Sequence, residues 1–416
     1  MAERVVIDRL GGGGDGVADT EAGALFVPFA LPGETALIER EGRRAKLIGV
    51  EAPSPERREP FCPYFGSCGG CAAQHMAAPA YASWKRGLAV TALQQAGIPV
   101  KVGPLLDAGG KGRRRVTLHA RFRDGQPLVG YMAARSHDLV DISHCPIAEP
   151  ALREEAPRAA RVLACTLGRT RKPLDIQLTA TEAGLDVDLR GQGPASAAER
   201  LALAEAASRL DLARLSLHGD LVVERHPPWI AMGRARVVPP PGAFLQATRL
   251  GEELLAGLVV EACADARRVA DLFAGCGPFA LRLAEAREVH AVDSDAASLG
   301  ALDRAVRAAA ALRRVTTEPR DLFRRPLLPP ELDRYDAVVL DPPRSGAEAQ
   351  ARQIAEADVP LAVSVSCDPG TFARDAAILL AGAYRLEHVA PVDQFKYGAH
   401  VEIVGVFRRE RRRKRR

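Results

Sequence analysis

Cys367 stands in Ser364-Val365-Ser366-Cys367-Asp368-Pro369-Gly370, directly after the apolar run 361–365, whose continuity predicts a buried strand. A thiol at the carboxyl end of such a strand, where an open α/β sheet forms its ligand crevice, is a candidate nucleophile. A second strand-end motif, Asp341-Pro342-Pro343-Arg344, follows the apolar run 337–340 and directs a carboxylate and a guanidinium toward the same crevice. A third runs from Asp271 through Gly275-Cys276-Gly277-Pro278 to Ala280, a G-x-G turn between the 269–273 strand and a helix. Gly275 and Gly277 there let the backbone approach a ligand closely. Sixteen residues past Gly277, Asp293 ends the next strand, where a carboxylate accepts hydrogen bonds from ribose hydroxyls. Taken alone, the loop also fits the G-x-G-x-x-A pattern of a dinucleotide dehydrogenase. Such an enzyme has no evident need for Cys367; for that residue the plainer alternative is a buried structural cysteine.

A separate constellation is Cys62-x5-Cys68-x2-Cys71 with Cys145 in His144-Cys145-Pro146. Four thiolates suit tetrahedral zinc or an iron–sulfur cluster, and spacing does not choose between them. Free reduced cysteines are the alternative, against which Gly69-Gly70 supplies the backbone freedom of a loop wrapped around a metal. Cys165, Cys263 and Cys276 show no partner pattern, and His75, His119 and His218 read as ordinary packed or surface groups.

The 416 residues correspond to roughly three domains. Residues 1–55 alternate short β-type runs with Gly and Pro turns and predict a small β barrel of the oligonucleotide-binding kind. The glycines 11–14 lack the Lys-Ser/Thr of a phosphate loop and read as a turn. Residues 56–236 open on a Pro/Glu/Arg-rich linker and mix helices (83–95, 195–210) with strands (116–122, 174–178, 185–189) in a central α+β domain. After Pro239-Pro240-Pro241-Gly242, residues 237–407 alternate apolar strands (269–273, 289–292, 337–340, 361–365) with helices, predicting a Rossmann-like α/β domain with a parallel sheet. Its last strands, 385–389 and 401–407, have no helix between them and predict an antiparallel close.

Hydrophobic residues at 47% and charged residues at 26% exclude a fibrous or wholly disordered chain. Of the net charge of +5, the tail 408–416 carries +7, leaving −2 for the rest. The basicity is therefore an appendage, and polyanion contact is the function it fits. No apolar stretch reaches membrane-span length and the first residues do not read as a signal peptide, so the sequence predicts a cytoplasmic protein in which disulfides are not expected.

Taken together in this order and spacing, the 271–277 loop, Asp341 to Arg344, Ser366-Cys367-Asp368-Pro369, and Asp393-Gln394-Phe395 through His400-Val401-Glu402 make the chain resemble the class I S-adenosylmethionine-dependent RNA 5-methyluridine methyltransferases. The resemblance covers nearly the whole chain, with Phe26-Val27-Pro28 and Leu31-Pro32-Gly33-Glu34 placed as in the family's TRAM domain. It implies that Cys367 adds to carbon 6 of the base, that Glu402 removes the carbon 5 proton, and that Asp341 and Arg344 hold the pyrimidine edge or its enolate. It further implies that Gln246 belongs to this site and that Phe273, Asp293, Asp321 and Asp341 surround the methyl donor. For Cys62, Cys68, Cys71 and Cys145 the resemblance implies a [4Fe-4S] cluster, zinc being the alternative occupant. Four protein ligands leave no open iron, which argues against radical chemistry. The branch resembled is associated with ribosomal RNA; no membrane and no protein partner are implied. Thr248, Pro278, Asp293 and Lys396-Tyr397-Gly398 depart from the commoner family pattern. Transfer RNA as target, a cytosine C5 methyltransferase and a non-catalytic RNA-binding protein are the alternatives.

Overall fold

In the computed structural model, which describes residues 2–168, 173–191 and 193–410, an eight-stranded sheet carries the strand-end motifs. Its order is Val315–Pro319, Glu288–Asp293, Arg268–Leu272, Ala337–Leu340, Leu361–Ser366, Glu402–Arg409, Tyr384–Asp393 and Leu106–Asp107. The first five strands pair in parallel and Glu402–Arg409 closes antiparallel against both neighbours. Ala337–Leu340 and Leu361–Ser366 are buried at every residue, as strands covered on both faces must be. Gly405 lets the Pro369–Ala381 helix approach the sheet: a Cβ there would meet the Phe372 ring at 2.6 Å. Burial of Phe372 at that contact stabilises by about 1.5–3 kcal/mol and ties the helix after Cys367 to the strand that begins with Glu402.

Two strands depart from the sequence expectation. Val315–Pro319 is half-buried at the sheet edge and contains two threonines and a glutamate, so it has no apolar signature. Leu106–Asp107 comes from the central part of the chain and pairs in parallel with Val392 and Asp393. The helix after the glycine loop is one turn, Ala280–Leu283, because only ten residues separate Gly277 from the strand at Glu288.

Ahead of this sheet lies a seven-stranded one, ordered Leu139–Asp141, Gln126–Met132, Arg115–Arg123, Leu174–Thr181, Gly184–Arg190, Arg214–Leu217 and Asp220–Glu224. The helices Glu155–Leu167 and Ala197–Arg209 share its core, the second opening on a Ser196/Glu199 capping box. The first strands form a six-stranded sheet in which the edge strands Glu3–Val6 and Arg9–Leu10 are separated by only Ile7 and Asp8. Chain connectivity thus draws the two edges of that sheet together. Its glycine run is a turn seated on Trp84, whose Nε1 donates to the Gly11 carbonyl at 3.0 Å. Trp84 belongs to the helix Ala78–Gln95, which begins earlier than its apolar pattern indicates because Pro79 opens its first turn. The basic tail is shorter than its composition suggests: Arg408 and Arg409 end the Glu402–Arg409 strand, and residues 411–416 lie outside the described residues. Among the described residues no helix is long and apolar enough to cross a membrane.

Candidate active site

At the end of Arg268–Leu272 the chain turns through three left-handed residues, Phe273 (φ 64°), Gly275 (φ 52°) and Gly277 (φ 88°). A non-glycine residue in that region is strained, and strain of this kind collects at ligand clamps. Asp293 fixes the turn, accepting from the Gly275 amide through Oδ2 and from the Asp295 amide through Oδ1, both at 2.8 Å. Asp321 accepts from the amides of Phe323 and Arg324 at 3.0 and 3.3 Å. That turn brings the Phe323 ring to 5.4 Å from Phe273, leaving an exposed aromatic flank beside the glycine loop. Asp271, at the end of the strand, is fully buried, and burial pushes its carboxyl up to about 7 against the Ala280 amide.

The reaction centre is built from four strand ends and one loop. Asp341 Oδ2 accepts from Gln246 Nε2 at 3.0 Å, and Gln246 Oε1 accepts from Gln394 Nε2 at 2.6 Å. Gln394 Nε2 also donates to Glu402 Oε1 at 2.9 Å, while its Oε1 accepts the Ala247 amide at 2.8 Å. Two amides thereby connect two carboxyls: Gln246 donates to Asp341 and accepts from Gln394, while Gln394 donates both ways, to Gln246 and to Glu402. Glu402 is buried with Oε2 unbonded, and burial pushes it up to about 7 against the favourable influence of Gln394, Lys85 and Arg344. Asp341 is pushed well above the usual carboxylate range by burial, Glu402 and Asp271. Because Glu402 raises Asp341, the site favours a proton on one of the two carboxyls over two charges.

Cys367 faces this pair. Ser366 and Ile403 are register partners across the antiparallel strands, so the residues that flank them, Cys367 and Glu402, come to the same sheet edge despite their separation in the chain. The half-buried thiol is pushed up to about 11 by burial and by Glu402 and Asp341, with Arg344 acting the other way. Asp368 caps the following helix by accepting from the Thr371 amide at 2.9 Å, which holds Cys367 at the helix mouth. Arg344 is exposed, with its Nη2 3.1 Å from His400 Nε2.

Cys62, Cys68, Cys71 and Cys145 line one cavity of about 120 Å³ together with Gln74, Arg113 and Tyr131. Gly69 is there for space: a Cβ would stand 2.9 Å from the Met132 carbonyl. The Gly70 amide donates to Cys68 Sγ at 3.4 Å. All four cysteines are free, and among the described residues no group of three or more His, Cys, Asp or Glu side chains is placed as a metal-ligand set. Cys71 is pushed up to about 12, and Cys68 and Cys145 are raised, chiefly by burial and in part by one another. A shared enclosure lined by four thiols has the donor chemistry that a soft metal or an iron–sulfur cluster takes.

Comparison with known proteins decides the family. The description tRNA (Uracil-5-)-methyltransferase applies to the family matched by residues 243–411. An uncharacterized RNA methyltransferase of Brucella suis is 46% identical over 408 residues, 98% of each chain. A 23S rRNA (uracil(1939)-C(5))-methyltransferase of Halomonas elongata is 35% identical, with 96% of this chain and 88% of that one covered. The chain belongs to the RNA uracil-5 methyltransferase family. Its members are S-adenosylmethionine-dependent enzymes. The crystal structure of a Pyrococcus abyssi tRNA (uracil-54, C5)-methyltransferase with S-adenosyl-L-homocysteine shares the fold at a TM-score of 0.73 and 22% identity, over 97% of this chain and 99% of that one.

Within this methyltransferase, Cys367, Glu402, Asp341 and Gln246 come together at one sheet edge with Arg344 at the rim. Phe273, Gly275, Gly277, Asp293 and Asp321 gather around the glycine loop, where both aspartates already hold backbone amides. Gln394, which joins Gln246 to Glu402, lies within a sequence motif that by itself assigns it no role. Arg114 carries no motif at all: buried, it donates to the Gln246 carbonyl at 2.9 Å and pairs with Glu252. Thr248 has a local explanation, since its Oγ1 accepts the Gly251 amide at 2.8 Å and caps the Arg249–Ala262 helix.

Proposed function

We propose that this methyltransferase acts on carbon 5 of a uridine in ribosomal RNA, with Cys367 as nucleophile and Glu402 as base. The reading is carried by one observation, the half-buried Cys367 thiol beside the bonded chain Asp341, Gln246, Gln394, Glu402. Carbon 5 of uracil is too electron-poor to attack a sulfonium methyl. Sulfur adding at carbon 6 breaks the 5,6 double bond and leaves an enolate whose carbon 5 is nucleophilic. Arg344 and the Asp341 carboxyl are placed to hold the pyrimidine edge while that charge develops. S-adenosylmethionine would supply the electrophilic methyl group, and the 273–277 turn, Asp293 and Asp321 are the residues that would hold it. Glu402 then takes the carbon 5 proton; the electron pair left behind re-forms the double bond and expels the Cys367 thiolate. Burial raises the Glu402 carboxyl to about 7, which suits a base that must accept a proton near neutrality.

Ribosomal RNA is the substrate favoured by the Halomonas elongata relative, whose likeness extends over 96% of the chain. The six-stranded amino-terminal sheet, with its edges drawn together, suits a TRAM-like barrel that grips RNA backbone, and the basic residues at the end of the chain suit the same task. The domain limits read from the sequence, 1–55, 56–236 and 237–407 with a 408–416 tail, go with this reading, except that Arg408 and Arg409 belong to the last catalytic strand. Cys62, Cys68, Cys71 and Cys145 would hold a [4Fe-4S] cluster, with zinc as the alternative. With all four ligands from protein, the group's part is to fix the cysteine loop. A cytoplasmic location follows from the RNA substrate. The test is methylation of ribosomal RNA by the purified protein with labelled donor, followed by nucleoside mass spectrometry. 5-Methyluridine is expected; 5-methylcytidine, or no modified base, would refute the proposal.

A further inference from the structure

Glu402 and Gln394 stand at the two ends of the 394–401 loop, and that loop is gripped from outside the catalytic sheet. The helix Ala78–Gln95 inserts Lys85, whose side chain and that of Asp393 are both fully buried, with Nζ 2.9 Å from Asp393 Oδ1. Lys85 Nζ also donates to the carbonyls of Gly398 at 3.0 Å, Phe395 at 3.3 Å and His400. One turn earlier, Tyr81 Oη donates to Asp393 Oδ2 at 2.7 Å and accepts the Tyr397 amide at 2.8 Å. An ammonium has three donors, and here each of its neighbours is an acceptor from one loop or from the residue that starts it. Burying a lysine this completely is unfavourable, and a hydrophobic contact would hold two elements together as well or better. The ammonium does what a hydrophobic contact cannot: it fixes three carbonyls of one loop at once and places a positive charge beside Glu402.

We propose that Lys85 is a positioning residue for proton removal at carbon 5, holding the 394–401 loop so that Glu402 and Gln394 meet the base carried on Cys367; the inference rests on the uridine-methylation reading. Removal of Lys85 leaves sulfur addition at carbon 6 and methyl transfer in place. It slows the later step, in which the carbon 5 proton passes to Glu402 as the carbon–sulfur bond breaks. The charged and titratable groups that face Glu402 are Lys85 and Arg344, which favour its carboxylate, and Asp341 and Cys367, which it disfavours in turn. Asp393, Arg113 and Lys396 act on Lys85 itself: burial and the two cations disfavour its charged form and Asp393 favours it.

The experiment uses the full chain, RNA tritiated at uridine carbon 5 and labelled methyl donor. It follows tritium release, methyl incorporation and covalent protein–RNA adduct in parallel. Lys85→Met is the direct variant. Lys85→Met/Asp393→Asn removes both charges, so that no unpaired buried carboxylate remains to unfold the site. The expected result for both is methylated adduct that accumulates while tritium release falls by about tenfold or more, with adduct formation within about twofold of wild type. In Lys85→Met the pH midpoint of release moves upward, because the cation that favours the Glu402 carboxylate is gone. A folded double variant that releases tritium at the wild-type rate overturns the inference alone. An equal fall in every step, including donor binding, overturns it too by reducing Lys85 to scaffold. Wild-type protein that methylates RNA without any release from uridine overturns the parent reading and the inference with it.

Discussion

Replacing Glu402 by glutamine separates what the carboxyl does for chemistry from what it costs the fold. Its carboxyl is moved from 4.5 to about 7, chiefly by burial, and Oε2 has no hydrogen-bond partner. The folded chain therefore holds the proton more tightly than the unfolded chain. Stability from this group is complete below about pH 4.5, declines as pH rises toward about 7, and is level above that. At ~1.4 kcal/mol for each pKa unit, the loss at the plateau is about 3–4 kcal/mol. Glutamine does not titrate, so Glu402→Gln escapes that loss and also relieves Asp341, which Glu402 pushes in the same direction. The variant should match wild type in unfolding midpoint near about pH 4.5 and exceed it progressively toward about pH 8. Over the same range, release of the carbon 5 proton should fall by about 10²–10⁴-fold. Denaturant unfolding of both proteins at a series of pH values, with methylation assayed in parallel, is the measurement. A stability difference that does not widen between those pH values would refute the reasoning that Glu402 is carried as a poorly solvated acid.

Three other outcomes follow from the site and its surroundings. Asp293→Ala frees the Gly275 and Asp295 amides, and calorimetric titration should show donor binding weakened by roughly 10- to 100-fold, the worth of one to two charge-assisted bonds. Cys71→Ser should purify with its iron and visible absorbance diminished relative to wild type prepared anaerobically; colourless wild-type protein with stoichiometric zinc would instead assign the site to zinc. Removing residues 411–416, which leaves the Glu402–Arg409 strand whole, should weaken RNA binding and reduce its log–log salt slope by ~0.7 for each RNA phosphate that the tail no longer neutralises.

The catalytic sheet was legible because its central strands are continuous apolar runs, and periodicity reads such runs directly. Val315–Pro319 escaped because an edge strand needs no apolar signature, and Leu106–Asp107 because two residues have no period at all. In the site, Cys367 and Asp341 were visible from their place at strand ends, whereas Glu402 at a strand start was indistinguishable from a surface carboxylate without its motif. Gln394 and Lys85 were illegible for a different reason: their meaning lies in partners far along the chain, Gln246 for one and the 394–401 loop for the other. A lysine on a helix ordinarily faces water, and only the tertiary fold shows this one fully enclosed. Of the aspartates assigned to the donor, Asp293 builds the glycine loop by accepting its Gly275 amide, whereas Asp321 builds the neighbouring turn that carries Phe323.

The covalent role of Cys367 is tested most directly by RNA bearing 5-fluorouridine at the target, since fluorine at carbon 5 cannot be taken up as a proton and the last step stalls. The account predicts a stable protein–RNA adduct whose mass maps to the peptide containing Cys367, carries one added methyl group, and is absent from Cys367→Ser. No adduct, an adduct on another residue, or a Cys367→Ser variant that still methylates uridine at the wild-type rate would contradict it.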